Sequence, residues 1–95
     1  MEHHVYFWLK DETDRRVFEE RLEDLRRIEQ IQGFHWGAPA ATEERPVTDH
    51  SWDYALSLKF DSLEDHDAYQ VHPLHDEFVD ACKFMWTRVL VMDIA

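Results

Sequence analysis

Apolar and polar positions along the chain recur with a period that changes from segment to segment, and each period predicts an element. In residues 3–9, His3, Val5, Phe7 and Leu9 fall on one side and His4, Tyr6 and Trp8 on the other, before the polar stop Lys10-Asp11-Glu12. That pattern predicts a strand. Thr13 or Asp14 then supplies a helix N-cap. Phe18, Leu22, Leu25, Ile28 and Ile31 follow at spacings of four and three, the stripe of one long amphipathic helix, with Gly33 placed to end it as the C′ residue. Its outer side interleaves acids and arginines in pairs such as Glu23 with Arg27, a solvated face.

Residues 34–38 predict a short strand with Phe34 and Trp36 on one side, and residues 39–51, with two prolines, a loop. From 52 to 60 the alternation is clean. Trp52, Tyr54, Leu56, Leu58 and Phe60 share one face, opposite Asp53, Ala55, Ser57 and Lys59. Asp61 or Ser62 caps a helix to about residue 71, and Ser62 with Asp65 forms the sequence half of a capping box. Pro73 forces His72 out of the helical region and opens a second helical piece over 73–84, and residues 87–94 predict the last strand. The order is β-α-β-β-α-β, a ferredoxin-like α+β fold with a four-stranded antiparallel sheet.

Both helices of that topology cover one sheet face, which leaves the other facing water. The end strands contradict a wet reverse face. Tyr6 and Trp8 on the first, and Leu90, Met92 and Ile94 on the last, put large apolar groups there, while Val89 and Val91 point the other way. Covering a patch of that kind is worth several kcal/mol at ~25 cal/mol per Å², and two sheets packed face to face cover it. A homodimer through the sheet face is therefore predicted, symmetric pairing being the commonest arrangement.

Composition bounds the rest. Ninety-five residues make one domain (1–95), 44% hydrophobic and 33% charged, hence globular and soluble. The net charge of −11, from 21 acids against 10 bases, repels phosphate backbones, so nucleic acid is excluded as a partner. No apolar run approaches the ~20 residues of a membrane span. The start Met1-Glu2-His3-His4 does not read as a signal peptide, and a single cysteine, Cys82, read as a buried small hydrophobe, fits a cytoplasmic location.

The candidate chemistry lies in Tyr69-Gln70-Val71-His72-Pro73-Leu74-His75. Here the chain resembles the stress-responsive A/B barrel (Dabb) family, whose hallmark is a Tyr-x-x-His-Pro-x-His segment at this place in the topology. The His-rich first strand ending in Lys10, the run Trp52-Asp53-Tyr54-Ala55-Leu56, the segment Phe60-Asp61-Ser62 and Trp86 extend the likeness to most of the chain outside the 39–51 loop. The resemblance implies a dimeric α+β barrel. It also implies either a stress-associated protein binding a small apolar or aromatic molecule between helices and sheet, or an acid–base enzyme like the family's polyketide cyclases or an isomerase. In that second case Tyr69 steadies a substrate carbonyl and His75 is the general base. Tyr54 stands where the cyclases carry His, and Leu22 where they carry an aromatic residue.

Such a role suits the residues. Proton abstraction beside a carbonyl needs a neutral imidazole and a donor to the oxyanion, and His75 lies in the first turn after Pro73, where free helix amides oppose its protonation. His3, Trp36, Tyr54, His72 and Trp86 are the candidate ligand contacts. The competing readings are structural: His72 as a helix cap, Tyr69 and His75 as satisfied wall residues, the tryptophans as core. His72, His75 and Asp76 lack a further well-spaced ligand, so no metal is predicted. No pattern argues for a haem or quinone, and no cofactor is predicted.

Overall fold

A computed structural model describes residues 1–95. Strands β1 (Glu2–Leu9), β2 (Gly33–Gly37), β3 (Tyr54–Lys59) and β4 (Trp86–Ile94) form one antiparallel sheet in the order β2-β3-β1-β4. Helices α1 (Arg15–Asp24), α2 (Leu63–Gln70) and α3 (Pro73–Cys82) complete the ferredoxin-like α+β fold. β1 is central, paired with β3 on one side and β4 on the other. Its alternation is the one read from sequence: His3, Val5, Phe7 and Leu9 are buried, His4, Tyr6 and Trp8 only partly so. Tyr54, Leu56 and Leu58 of β3 continue the buried face beneath Phe18 and Leu22 of α1 and Phe78 and Cys82 of α3.

The caps follow local chemistry. The Asp14 carboxylate accepts from the amides of Arg16 (3.1 Å) and Val17 (3.3 Å), and Ser62 Oγ accepts from Asp65 (3.1 Å).

Several expectations need correction. The apolar stripe from Phe18 to Ile31 is not one helix. α1 ends at Asp24, Leu25–Arg27 tighten into a 3₁₀ turn, and Ile28 is already extended (φ −74°, ψ 119°). Leu25 and Ile28 stay buried because their three-residue spacing also matches the 3₁₀ period. The same tightening brings the Glu23 carboxylate to Arg26 (3.0 and 3.1 Å) rather than to Arg27. Gly33 is consequently no helix cap. It opens β2 with no positive φ, opposite Lys59, whose Cβ would stand 3.0 Å from a Cβ at this position, so close cross-strand approach is what calls for a glycine.

Trp52 does not join the buried face of β3 either. It precedes the strand, its indole nitrogen donates to the Asp49 carbonyl (2.8 Å), and its ring packs on Tyr6 (5.4 Å between centroids) on the reverse face. Asp53 sets this offset. Its amide bonds Phe7 O at 2.8 Å, and its carboxylate accepts from Leu9 N and from Arg15, each at 2.6 Å. α3 stops at Cys82, and Phe84 stands exposed.

The reverse face carries the apolar surface expected of it. Tyr6, Trp8, Trp52, Leu90 and Met92 border a hollow of about 530 Å³ closed along one side by the 38–50 loop. No helix is long and apolar enough to cross a membrane.

Candidate functional site

The break between α2 and α3 builds the site. His72 is extended (φ −68°, ψ 140°), as the following proline requires, and its Nδ1 accepts from the Leu74 amide at 3.0 Å. Its Nε2 meets a carboxylate oxygen of Glu29 at 3.2 Å on the outer surface. The Glu29 carboxyl is held below its usual range, first by its own backbone amide and then by His72. His72 therefore caps α3, with both of its ring nitrogens engaged.

The same break turns the last residues of α2 against the first turn of α3. Tyr69 and His75 come ring to ring, centroids 4.9 Å apart at 72°. Tyr69 is 2% exposed and packs on Phe60 (5.2 Å) and His3 (5.8 Å). Burial pushes its phenol well above the ordinary tyrosine value, so it remains a neutral donor. His75 Nδ1 is buried with no hydrogen-bond partner. Burial is the main cause that lowers its pKa, with His3 and His66 acting the same way and Asp76 opposing, so the imidazole is neutral near pH 7.

Both rings line a cavity of about 260 Å³ between the sheet and α3, with His3, Val5, Phe7, Leu56, Gln70, Phe78, Val79, Trp86, Val89 and Val91 as the remaining wall. His3 is buried, and its Nδ1 donates to Asp93 Oδ1 at 2.6 Å, since a carboxylate there only accepts. Burial lowers the His3 pKa and Asp93 pulls the other way. Trp86 packs on Phe7 (5.5 Å) and Phe78 (6.2 Å).

Of the seven residues singled out from sequence, Tyr69, His75, His3 and Trp86 meet at this cavity. Trp36, Tyr54 and His72 do not line it. Trp36 donates to Glu23 Oε1 (2.7 Å) and stacks near Tyr54 (6.0 Å), whose hydroxyl donates to Glu19 beside Arg15, at the far end of α1. Gln70, Phe78, Val79, His66 and Asp93 were not foreseen at or beside the cavity. His66 lies one helical turn before Tyr69, a signal of shared face that was available. Asp93 is the register partner of His3 across β1 and β4, a relation visible only once the strands pair.

The family model for the stress responsive A/B barrel domain matches residues 1–95. No curated protein matches the sequence. Among solved structures, the chain is similar to a protein of Arabidopsis thaliana (26% identity, 99% of this chain and 92% of that one, TM-score 0.79). It also resembles in fold a dimeric ferredoxin-like protein of unknown function from Thermobifida fusca (18% identity, 99% and 88%, TM-score 0.78). A hydroxynitrile lyase from Passiflora edulis shares the fold too (18% identity, 96% and 87%, TM-score 0.75).

Proposed function

The chain belongs to the stress responsive A/B barrel domain family, and from that premise we propose that it works as a homodimer that holds a small, mostly apolar molecule in the cavity between sheet and α3. One observation carries the ligand reading: the cavity wall is apolar except for His3, Tyr69, Gln70 and His75. A few convergent polar groups in an otherwise greasy concavity are the usual make-up of a small-molecule site. Its volume of about 260 Å³ falls just under the ~300–1,000 Å³ of pockets that take drug-sized ligands, so the occupant is small. The larger hollow, on the reverse face, is read as interface. It is bordered by Tyr6, Trp8, Leu90 and Met92 of the sheet, which a second sheet would cover, and the related protein from Thermobifida fusca is described as dimeric.

Native mass spectrometry of protein purified without denaturation tests both halves at once. The expected spectrum is a dimer carrying a retained small molecule or accepting one from a panel of apolar carbonyl compounds. A monomer at high concentration overturns the dimer, and a bare dimer that accepts nothing overturns the ligand site.

A catalytic second reading is favoured by the unpartnered His75 Nδ1 next to an unbonded phenol. In this reading neutral His75 removes a proton beside a substrate carbonyl while Tyr69 donates to the oxygen as charge develops there. Deuterium uptake next to the carbonyl of a small aryl ketone or β-keto ester, followed by NMR in heavy water, is the assay. His75→Ala and Tyr69→Phe should each slow exchange at least about a hundredfold with the dimer intact. Equal rates in parent and both variants remove the catalytic reading and leave the binding one standing.

A further inference from the structure

His3 of β1, His66 of α2 and Asp93 of β4 converge at the end of the cavity where the first and last strands pair. One nitrogen or oxygen donor from each lies within 4.8 Å of the other two. We propose that these three side chains form a binding site for one divalent transition-metal ion of the zinc type, with a coordination position left open. The proposal goes beyond the ligand cavity and does not depend on it.

The donor set fits that class of ion. Two imidazoles and one carboxylate, with a fourth position free, match zinc and its borderline neighbours, whereas magnesium and calcium favour all-oxygen shells. The three donors also come from separate elements whose relative positions the core already fixes, so little ordering remains for the ion to impose.

Hydrogen bonding prepares both rings. The Nδ1 of His66 lies 3.1 Å from Asp67 Oδ1, and because a carboxylate only accepts, Nδ1 carries the proton. The lone pair is then on Nε2, where the Gln70 amide nitrogen, a donor, stands at 3.4 Å. A carboxylate on the far nitrogen is the usual outer partner of a metal-bound histidine: it fixes the tautomer and raises the basicity of the free nitrogen. His3 is held between Phe60 (6.5 Å) and Tyr69 (5.8 Å), with His66 at 4.9 Å across the opening. Its Nδ1 and Asp93 Oδ1, 2.6 Å apart, share one proton. A bound ion takes the place of that proton, which passes to Nε2 of His3, so no net proton need leave the pair. Asp93 and His66 are the partly exposed members and provide the way in. The chain's net charge of −11 raises the local concentration of cations around that opening.

The test uses the full chain, stripped with EDTA and titrated with zinc by calorimetry and with cobalt by visible absorption. One ion per chain is expected, with cobalt bands of a four- or five-coordinate site. His66→Gln and Asp93→Asn, both at partly exposed positions, should each weaken zinc binding at least about tenfold while the far-ultraviolet dichroism stays unchanged. No binding tighter than about 0.1 mM overturns the site. Binding that either variant leaves as tight as the parent also overturns it, since the ion then sits elsewhere, for example between His4 and Glu2, which are 3.1 Å apart.

Discussion

The two faces of this sheet are made by the same strands and by side chains of similar kind, yet they end in different environments. On the helix side, Val5, Phe7, Leu56 and Leu58 lie under α1 and α3 with only a few per cent of their surface exposed. On the other side Tyr6, Trp8 and Leu90 remain half-buried, and Met92 is 53% exposed. The difference is not in the residues but in what covers them. The helices pack on one face of the sheet and none is left for the reverse face, so the apolar groups there gain little unless a second molecule supplies the cover. A contact is therefore worth full core value on one face from the moment the chain folds, and on the other only as far as association proceeds.

The largest effect should come from breaking the covered side. Phe18 is fully buried and packs on Phe7 (5.2 Å), Tyr54 (5.3 Å) and Phe78 (6.0 Å), so it joins α1 to the sheet and to α3. Phe18→Ala removes transfer energy and leaves a cavity, at a cost of about 3–5 kcal/mol. Urea unfolding should show that loss at every protein concentration. A loss that disappears on dilution places Phe18 in an interface and inverts the comparison.

Next in size is the bare side. Leu90 pairs with Tyr6 across β1 and β4 at the edge of the reverse-face hollow. Leu90→Glu places a charge there, and a symmetric pair would bring two such charges together. Association should weaken by about 2 kcal/mol or more, read as a shift toward monomer in analytical ultracentrifugation. The helix-side core does not include Leu90, so near-ultraviolet dichroism should keep its folded signature. Unchanged dimerisation would show that the copies meet through another surface.

The same contrast explains which parts of the molecule were legible beforehand. A period of two in β1 and β3 reports burial directly, and the caps at Asp14, Ser62 and His72 rest on chemistry within three residues, so both could be read locally. α1 misled because positions 25 and 28 are spaced by three, which a 3₁₀ turn satisfies as well as a helix does. Trp52 misled because the Asp53 bonds to Phe7, Leu9 and Arg15 hold it outside the strand register, and those partners are far away in sequence. At the site, the His72–Pro73 break is local, and the resemblance supplied Tyr69 and His75. The Asp93 contact with His3 spans ninety residues and exists only because β1 and β4 pair in one register, so no local pattern announces it.

The smallest effect separates the two faces by titration. The histidines on the covered side, His3 and His75, both have folded pKa values below the ordinary 6.5, burial being the leading cause. A histidine with a lowered folded pKa binds its proton more readily in the unfolded chain. Its contribution to stability is therefore complete above the unfolded value and declines as pH falls through 6.5 toward the folded one. Stability from urea unfolding should accordingly drop between about pH 7.5 and about pH 5, a window that ends above the range where the depressed carboxyls of Asp53 and Asp49 take up protons. Replacing His75 by Gln removes one of these two lowered groups and should make the slope shallower. A slope that ignores His75 would mean that the cavity histidine is solvated in the folded protein, and the apolar enclosure on which the ligand reading rests would go with it.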